Sequence, residues 1–379
     1  GMNYNFGQYG DQQTYPGGAP RGYPNREVKW EATEQTNIGL DANLLRFKLS
    51  VNFDYFIRKT RDMLAQVPVP GVTGIQDAPF VNIGTVSNKG FELNVSYREQ
   101  EGDFKYKIGF NVGHVKNEVT SLGNGLPIST ASFRASDFIA RTQVGQPIAF
   151  FYGFETDGYY QNQAEIDSLD QKARELSGRP AARYDGRPRP GDIKMKDQNG
   201  DYQITNADKT FIGSPHPKLT YGISIDLEYR WFDFKIFGQG VYGNKVFMAT
   251  KYYLESGDGY WNLLPTMKDY WEKEGDQTTV PRLGQSSQNM RLSDRYVENG
   301  SYFRIKTIQL GFTLPNSLTK RIGVEKIRIF GNLQNFISFH KYKGFDPEIG
   351  RGASQLDIGI DRGMYPLSKS ITGGINITL

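Results

Sequence analysis

The sequence predicts an all-β protein, an antiparallel transmembrane β-barrel with long loops that carry short helices. Three observations predict it. Apolar and polar residues alternate over unusually long stretches, the connections between those stretches are alternately short and long, and the chain is rich in tyrosine, phenylalanine and glycine. Alternation comes first. Phe47, Leu49, Val51, Phe53, Tyr55 and Ile57 alternate with Lys48, Ser50, Asn52 and Asp54. Similar runs centre on Phe91–Tyr97, Phe104–Val112, Leu219–Tyr229 and Ile371–Leu379, with weaker ones at 36–45, 232–243, 302–314 and 326–338. A period of two is the signature of a strand with one apolar and one polar face. About nine strands result, mostly about 10 to 13 residues long, against roughly 5 to 6 in globular proteins and about 9 to 11 for a tilted membrane-crossing strand.

The connections give the second argument. Leu45–Arg46, Glu99 to Gly102, Arg230–Trp231 and 315–325 read as turns, whereas 59–87, 116–218, 244–300 and 340–366 read as long loops. Short turns on one side and long loops on the other are the transmembrane barrel arrangement, with the short turns periplasmic. A soluble sandwich would place turns every 8–12 residues or so, without this asymmetry. Composition agrees: 23 Tyr, 24 Phe and 43 Gly fit β-structure with aromatic girdles. Mean hydropathy is −0.56. No apolar run approaches the roughly 20 residues of a membrane helix, but barrel strands average out as polar.

Charge and chemistry exclude other classes. The net charge is +4 with acidic and basic residues interspersed, so there is no basic stripe for nucleic acid. Cysteine is absent, which rules out a disulfide scaffold. His114, His216 and His340 are far apart and belong to no nucleophile or zinc pattern, and phosphate-cradling glycine loops are missing, so the chain reads as a non-enzyme. Asp157 and Asp167 read as solvated loop residues. The Gln163–Leu176 segment reads as a helix within a loop, and Tyr260–Glu274 as another. In the second, Trp261 and Trp271 either pack on the loop itself or face a partner protein; long loops are where binding residues concentrate. The polar positions Asn94, Ser224 and Asp226 should face the lumen.

One loop has ion-binding spacing. Asp197, Asn199, Asp201 and Asp208 fall at positions 1, 3, 5 and 12 of a twelve-residue loop, and Gln203 at position 7 could add a carbonyl. This is a candidate Ca2+ loop, with Tyr202 where the sharp turn favours glycine. The alternative is an Asx-rich turn capped by its own side chains. No other cofactor is called for.

Several stretches stand in a telling order. They are Asn25 to Glu31 followed by Thr36 to Asp41, Asp54 to Phe56 with Arg58 to Asp62, Asn82 to Gly84 with Asn88 to Leu93, then Gly191 to Ile193, Gly213 to Tyr221, Arg295 to Tyr302, Gln334–Asn335 and Gly344 to Glu348. In kind and order they resemble the motifs of the SusC/RagA-type TonB-dependent transporters. The chain departs from the family's usual aromatic end, since it finishes on Leu379. The resemblance implies that residues 1–379 are the C-terminal strands of a barrel of roughly 22. The plug domain, the TonB-contacting segment and the N-terminal strands would lie outside this chain; separately, the odd count of nine strands and their two open edges call either for further strands before residue 1 or for Asn3 to Gln8 as the remnant of one. It also implies nutrient import: a SusD-like surface lipoprotein delivers a glycan or peptide, and the TonB complex drives the step, all in the outer membrane. A soluble glycan-binding module, or a structural or assembly barrel without transport, remains the alternative.

Overall fold

The computed structural model describes residues 2–5, 14–17, 25, 27–66, 80–123, 125–133, 137–255, 262–284, 286–350 and 356–379. Nine strands form one sheet: β1 (Ala32–Leu44), β2 (Leu49–Gln66), β3 (Phe80–Glu99), β4 (Phe104–Leu122), β5 (Leu219–Tyr229), β6 (Phe232–Tyr242), β7 (Tyr302–Thr313), β8 (Lys326–His340) and β9 (Ser370–Thr378). Spatial order follows chain order and every neighbouring pair is antiparallel. The sheet is open, because β1 and β9 do not pair with each other. Met2–Asn5 pairs with Thr14–Gly17 in a separate hairpin and does not join this sheet; residues 6–8 of the expected remnant lie outside the described residues.

Register keeps the apolar parity aligned from edge to edge. Ile38 faces Tyr55, Tyr55 faces Phe91, Val95 faces Phe110, and Phe110 faces Ile223. Further on, Phe234 faces Leu310, Phe312 faces Ile329, and Ile329 faces Ile375. This continuous face is not covered by protein: Ile38 is 70% exposed, Leu310 56% and Ile375 62%. A face of this extent left open to solvent is costly at about 25 cal/mol per Å2, whereas lipid contact removes the cost. Gly240 sits between Tyr221 and Phe303, whose rings stack across it at 5.9 Å and 3°. The bare glycine backbone is thereby shielded by its cross-strand aromatic neighbours.

Strands β2, β3 and β4 run to 18, 20 and 19 residues, longer than alternation predicts. The reason is bulges. Register shifts at Thr60–Met63 and at Thr85–Val86, beside Asp62 (φ 52°) and Gly84 (φ 142°), break the period of two while pairing continues. At about 3.3 Å per residue, such strands outreach the roughly 25 Å apolar band even when tilted. Their extra length carries a true core: Ile83, Val86, Val119 and Leu122 bury against Ala140, Ile148, Ala149 and Leu356.

The short connections are Leu45–Lys48, Gln100–Asp103, Arg230–Trp231 and Leu314–Glu325. The long ones fold together at the opposite end. Phe150–Gly153 pairs with Thr210–Gly213 and Phe138–Thr142, and the latter with Ile128–Ser132. Lys245–Met248 pairs with Val297–Asn299 and Ile360–Asp361. One core gathers Ile139 and Phe151 from the connection after β4, Phe247 and Tyr296 from that after β6, and Ile360 from that after β8. Three long loops therefore form one packed body.

Helix α1 (Gln163–Ser177) forms as the sequence predicts. Asn162 caps its start by accepting from the Glu165 amide, and Gly178 closes it at φ 65°. The helix expected over 260–274 does not form: the described part holds only a 3₁₀ turn, Pro265–Lys268, begun by a proline and followed by irregular chain.

Candidate functional site

Opposite the apolar face lies a polar one built from continuous cross-strand rows. Asp41, Asn52, Asn94, Asn111, Gly222, Gln239, Arg304 and Ser338 follow one another in register from β1 to β8. Ser224 lies in the next row, between Gly109 and Phe237. Asp226 stands between Lys107 and Lys235 and pairs with Lys235 at 3.3 Å. Asn94, Ser224 and Asp226 thus share one face, as a period of two requires. Nearer the short turns, Asp233 and Arg328 pair across β7 at 2.8 Å. Gly311 makes room for them, since a Cβ there would lie 2.2 Å from the Asp233 carboxylate.

The last long connection is clamped onto this face. Arg304 of β7, 4% exposed, donates to Asp346 Oδ1 at 2.6 Å and to Glu348 at 3.0 Å. Lys306 donates to Glu348 at 2.8 Å. Asp346 also accepts from the amides of Glu348 and Leu367, so one carboxylate ties both arms of the loop to the wall. Burial alone would push the Asp346 carboxyl up; the Arg304 guanidinium and the two amides hold it below the usual range. Close by, Tyr342 donates to the buried Asp361 at 2.6 Å. Burial and that carboxylate raise the Tyr342 phenol, so it stays a donor. Sequence reasoning did not single out Arg304 or Lys306 as site residues. The signal present was the Gly344–Glu348 stretch, but its partner is about 40 residues away in the chain.

The Asp197–Asp208 loop is an Asx-turn assembly. Asp197 accepts from the amides of Gly200 and Tyr202, Asn199 from Asp201, and Asp201 from Gln203, at 2.8 to 3.0 Å. Gln203 contributes its own amide to Asp201. Asp208, fully buried, accepts from the amides of Gln198 and Thr205. Tyr202 takes φ 56°, where glycine would be unstrained. Among the described residues no group of three or more carboxylate, histidine or cysteine side chains could hold a metal ion.

Trp271 is not on the surface. It is 7% exposed and lies flat on Gly191, whose added Cβ would meet its ring at 2.2 Å, with Arg282 alongside. The partner-facing reading of Trp271 is therefore corrected: a loop residue this large is used to build the loop's own core. Trp261 lies outside the described residues. The three histidines also do structural work. His114 lies tilted against Phe91 at 5.7 Å, His216 contacts the Ile148 carbonyl at 2.8 Å, and His340 the Tyr342 carbonyl at 3.2 Å. Asp157 is exposed beside Lys194, and Asp167 accepts from Gln163 on the open side of α1.

An all-antiparallel sheet with one lipid-type face, one polar face and a loop body at one end is the wall of a transmembrane β-barrel. Comparisons with known proteins agree. Residues 1–185 match the family model described as TonB dependent receptor-like, beta-barrel. TonB-dependent receptor P3 of Formosa agariphila is 32% identical over 377 residues, which are 97% of this chain and 36% of that protein. TonB-dependent receptor SusC of Bacteroides thetaiotaomicron is 26% identical over 385 residues, 99% of this chain and 35% of that protein. The solved structure of the RagAB peptide importer in the open-open state superposes with a TM-score of 0.73 at 23% identity, covering 100% of this chain and 37% of that one, and so shares the fold. Residues 1–185 thus carry the β-barrel of the TonB-dependent receptor family, and over nearly its whole length the chain is similar to relatives named as TonB-dependent receptors, SusC among them. It spans about a third of the length of the curated relatives it matches.

Proposed function

We propose that this chain is the C-terminal barrel portion of an outer-membrane nutrient importer. The observation that carries the reading is the two-faced sheet, lipid-type on one side and lined by polar rows on the other. Asn94, Ser224 and Asp226 belong to the lumen wall, and the loop body stands on the extracellular side. The unpaired edges β1 and β9 expose N–H and C=O groups that lipid cannot satisfy, so they pair with further strands of a larger barrel. Relatives named SusC and RagAB support action with a SusD-like surface lipoprotein and the TonB complex, on glycan or peptide. The polar rows offer hydrogen-bonding groups to either solute and contain no reactive constellation, which suits transport without covalent chemistry.

The test is a chromosomal deletion of the gene that encodes the chain, complemented in trans. Uptake of fluorescent oligopeptides and oligosaccharides should fall in the deletion strain for one of the two classes. It should return with the intact gene and stay absent when TonB is inactivated. Unchanged uptake of both classes, or recovery of the protein from the soluble fraction without detergent, would refute the reading.

A further inference from the structure

We propose that the pocket between the 204–209 turn and the 287–292 segment of the loop body is a binding subsite for a carboxylate, with Lys209 as its cation. The cavity measures about 470 Å3 and is lined by Asp137, Phe154, Asn206, Lys209, Ser287 and Arg291, among others. That volume lies within the range of small-molecule sites. The two cations flank a single ring: Lys209 Nζ lies 5.4 Å from the Phe154 centroid and the Arg291 guanidinium 5.1 Å from it. A ring face attracts cations but offers no acceptor oxygen.

Two of the acceptors near these cations are already used. Arg291 spends its terminal nitrogens on Asp185, at 3.0 Å for one of them, while its Nε is buried with no hydrogen-bond partner. Asp208, next to Lys209, is committed to the amides of its own turn. Asp137, on the cavity wall, favours the ammonium from beyond ion-pair distance, and among the described residues Lys209 Nζ has neither hydrogen bond nor ion pair. An ammonium partly withdrawn from water without an acceptor is unfavourable. Burial accordingly pulls its pKa down. Lys209 Nζ is thus a donor without an acceptor, with the Asn206 amide and Ser287 hydroxyl on the same cavity wall. A carboxylate brings two oxygens, and so accepts from the ammonium and a second donor at once. The acidic residue of a peptide and the uronic acid unit of a glycan share this chemistry. The identity of the oligomer rests on the import reading; the carboxylate site itself does not.

The experiment is titration calorimetry on the full-length receptor in detergent. The probes are triglutamate and trigalacturonate, with triglutamine and galactotriose as neutral counterparts. One acidic probe should bind where its neutral counterpart does not, and which one binds identifies the source. Lys209→Met should weaken acid binding by about tenfold or more, the loss of one charge-assisted hydrogen bond. Lys209→Arg should retain most of it. Equal binding of acidic and neutral probes, no binding of either acid, or undiminished acid binding by Lys209→Met would overturn the proposal. Binding is read without transport, so lost uptake with intact acid binding would count against the import reading alone.

Discussion

Removing Arg304 should release the last long loop from the barrel wall. Its side chain is 5% exposed, that of Asp346 7%, and the pair bonds at 2.6 Å. Taking one partner from a buried pair costs about 3–5 kcal/mol, because the other charge stays desolvated. The second acid adds little: Glu348 is 28% exposed and keeps Lys306, so its bond to Arg304 is worth at most about 1 kcal/mol. Arg304→Met should therefore shift loop opening by about 3 kcal/mol or more, roughly 100-fold. Trypsin cleavage after Lys343 and Arg362 in the detergent-solubilised receptor reports this, since cleavage follows the open population when closing is fast. The pH slope gives a second reading. Asp346 is depressed when folded, so the latch is fully present above the unfolded carboxyl value of about 3.9 and is lost as pH falls through the folded one. In Arg304→Met only the Glu348 and Leu367 amides still oppose burial, so cleavage should slow as acid neutralises Asp346, opposite to the wild type. Arg304→Met with Asp346→Asn should restore much of the protection at pH 7. Equal cleavage of wild type and Arg304→Met at pH 7 would refute the latch.

Four further outcomes are expected. The chain has no cysteine, so single replacements label cleanly: in proteoliposomes Asn94→Cys and Ser224→Cys should react with a membrane-impermeant maleimide, while Leu93→Cys and Ile223→Cys, one residue away on the other face, should not. Equal labelling of both pairs would undo the assignment of faces. The Asx-turn reading of Asp197–Asp208 expects the melting temperature to be the same in EDTA and in millimolar Ca2+, and a Ca2+-dependent rise would establish the ion site instead. Trp271→Ala should destabilise the loop body by about 3–5 kcal/mol, as for a large buried ring. Gly191→Ala should also destabilise it, because the new methyl meets that ring at a φ of 84°; hydrogen exchange of Tyr160 and Ile193 amides would show both.

The strands were legible because a lipid-facing wall imposes one rule on every residue. Wherever that rule holds, as from Leu219 to Tyr229, the expected strand and the observed one coincide. It fails at Asp62 and Gly84, where bulges shift the parity, and there the expected strands stop short of the real ones. The loop body obeys no local rule. Ile139, Phe247 and Ile360 share a core only because three connections fold onto one another, and nothing near any of them in sequence announces it. Trp271 was ambiguous for the same reason: a large aromatic in a long loop fits a private core as well as a partner surface.

The stretches that carry the family resemblance prove to be joints. Asn82 donates to the carbonyls of Lys29 and Asp62 and accepts from the Lys29 amide, fastening the segment before β1 to the bulge in β2. Asp192 binds Asn289 and the Arg189 amide, joining two loops. Asp346 latches a third loop to Arg304. Each of these groups is bonded within the chain. Residues that a common architecture needs for its joints are poor places to encode what one receptor selects. Selection calls for groups whose bonding is incomplete, and Lys209, charged and half-buried with only a ring beneath it, is such a group.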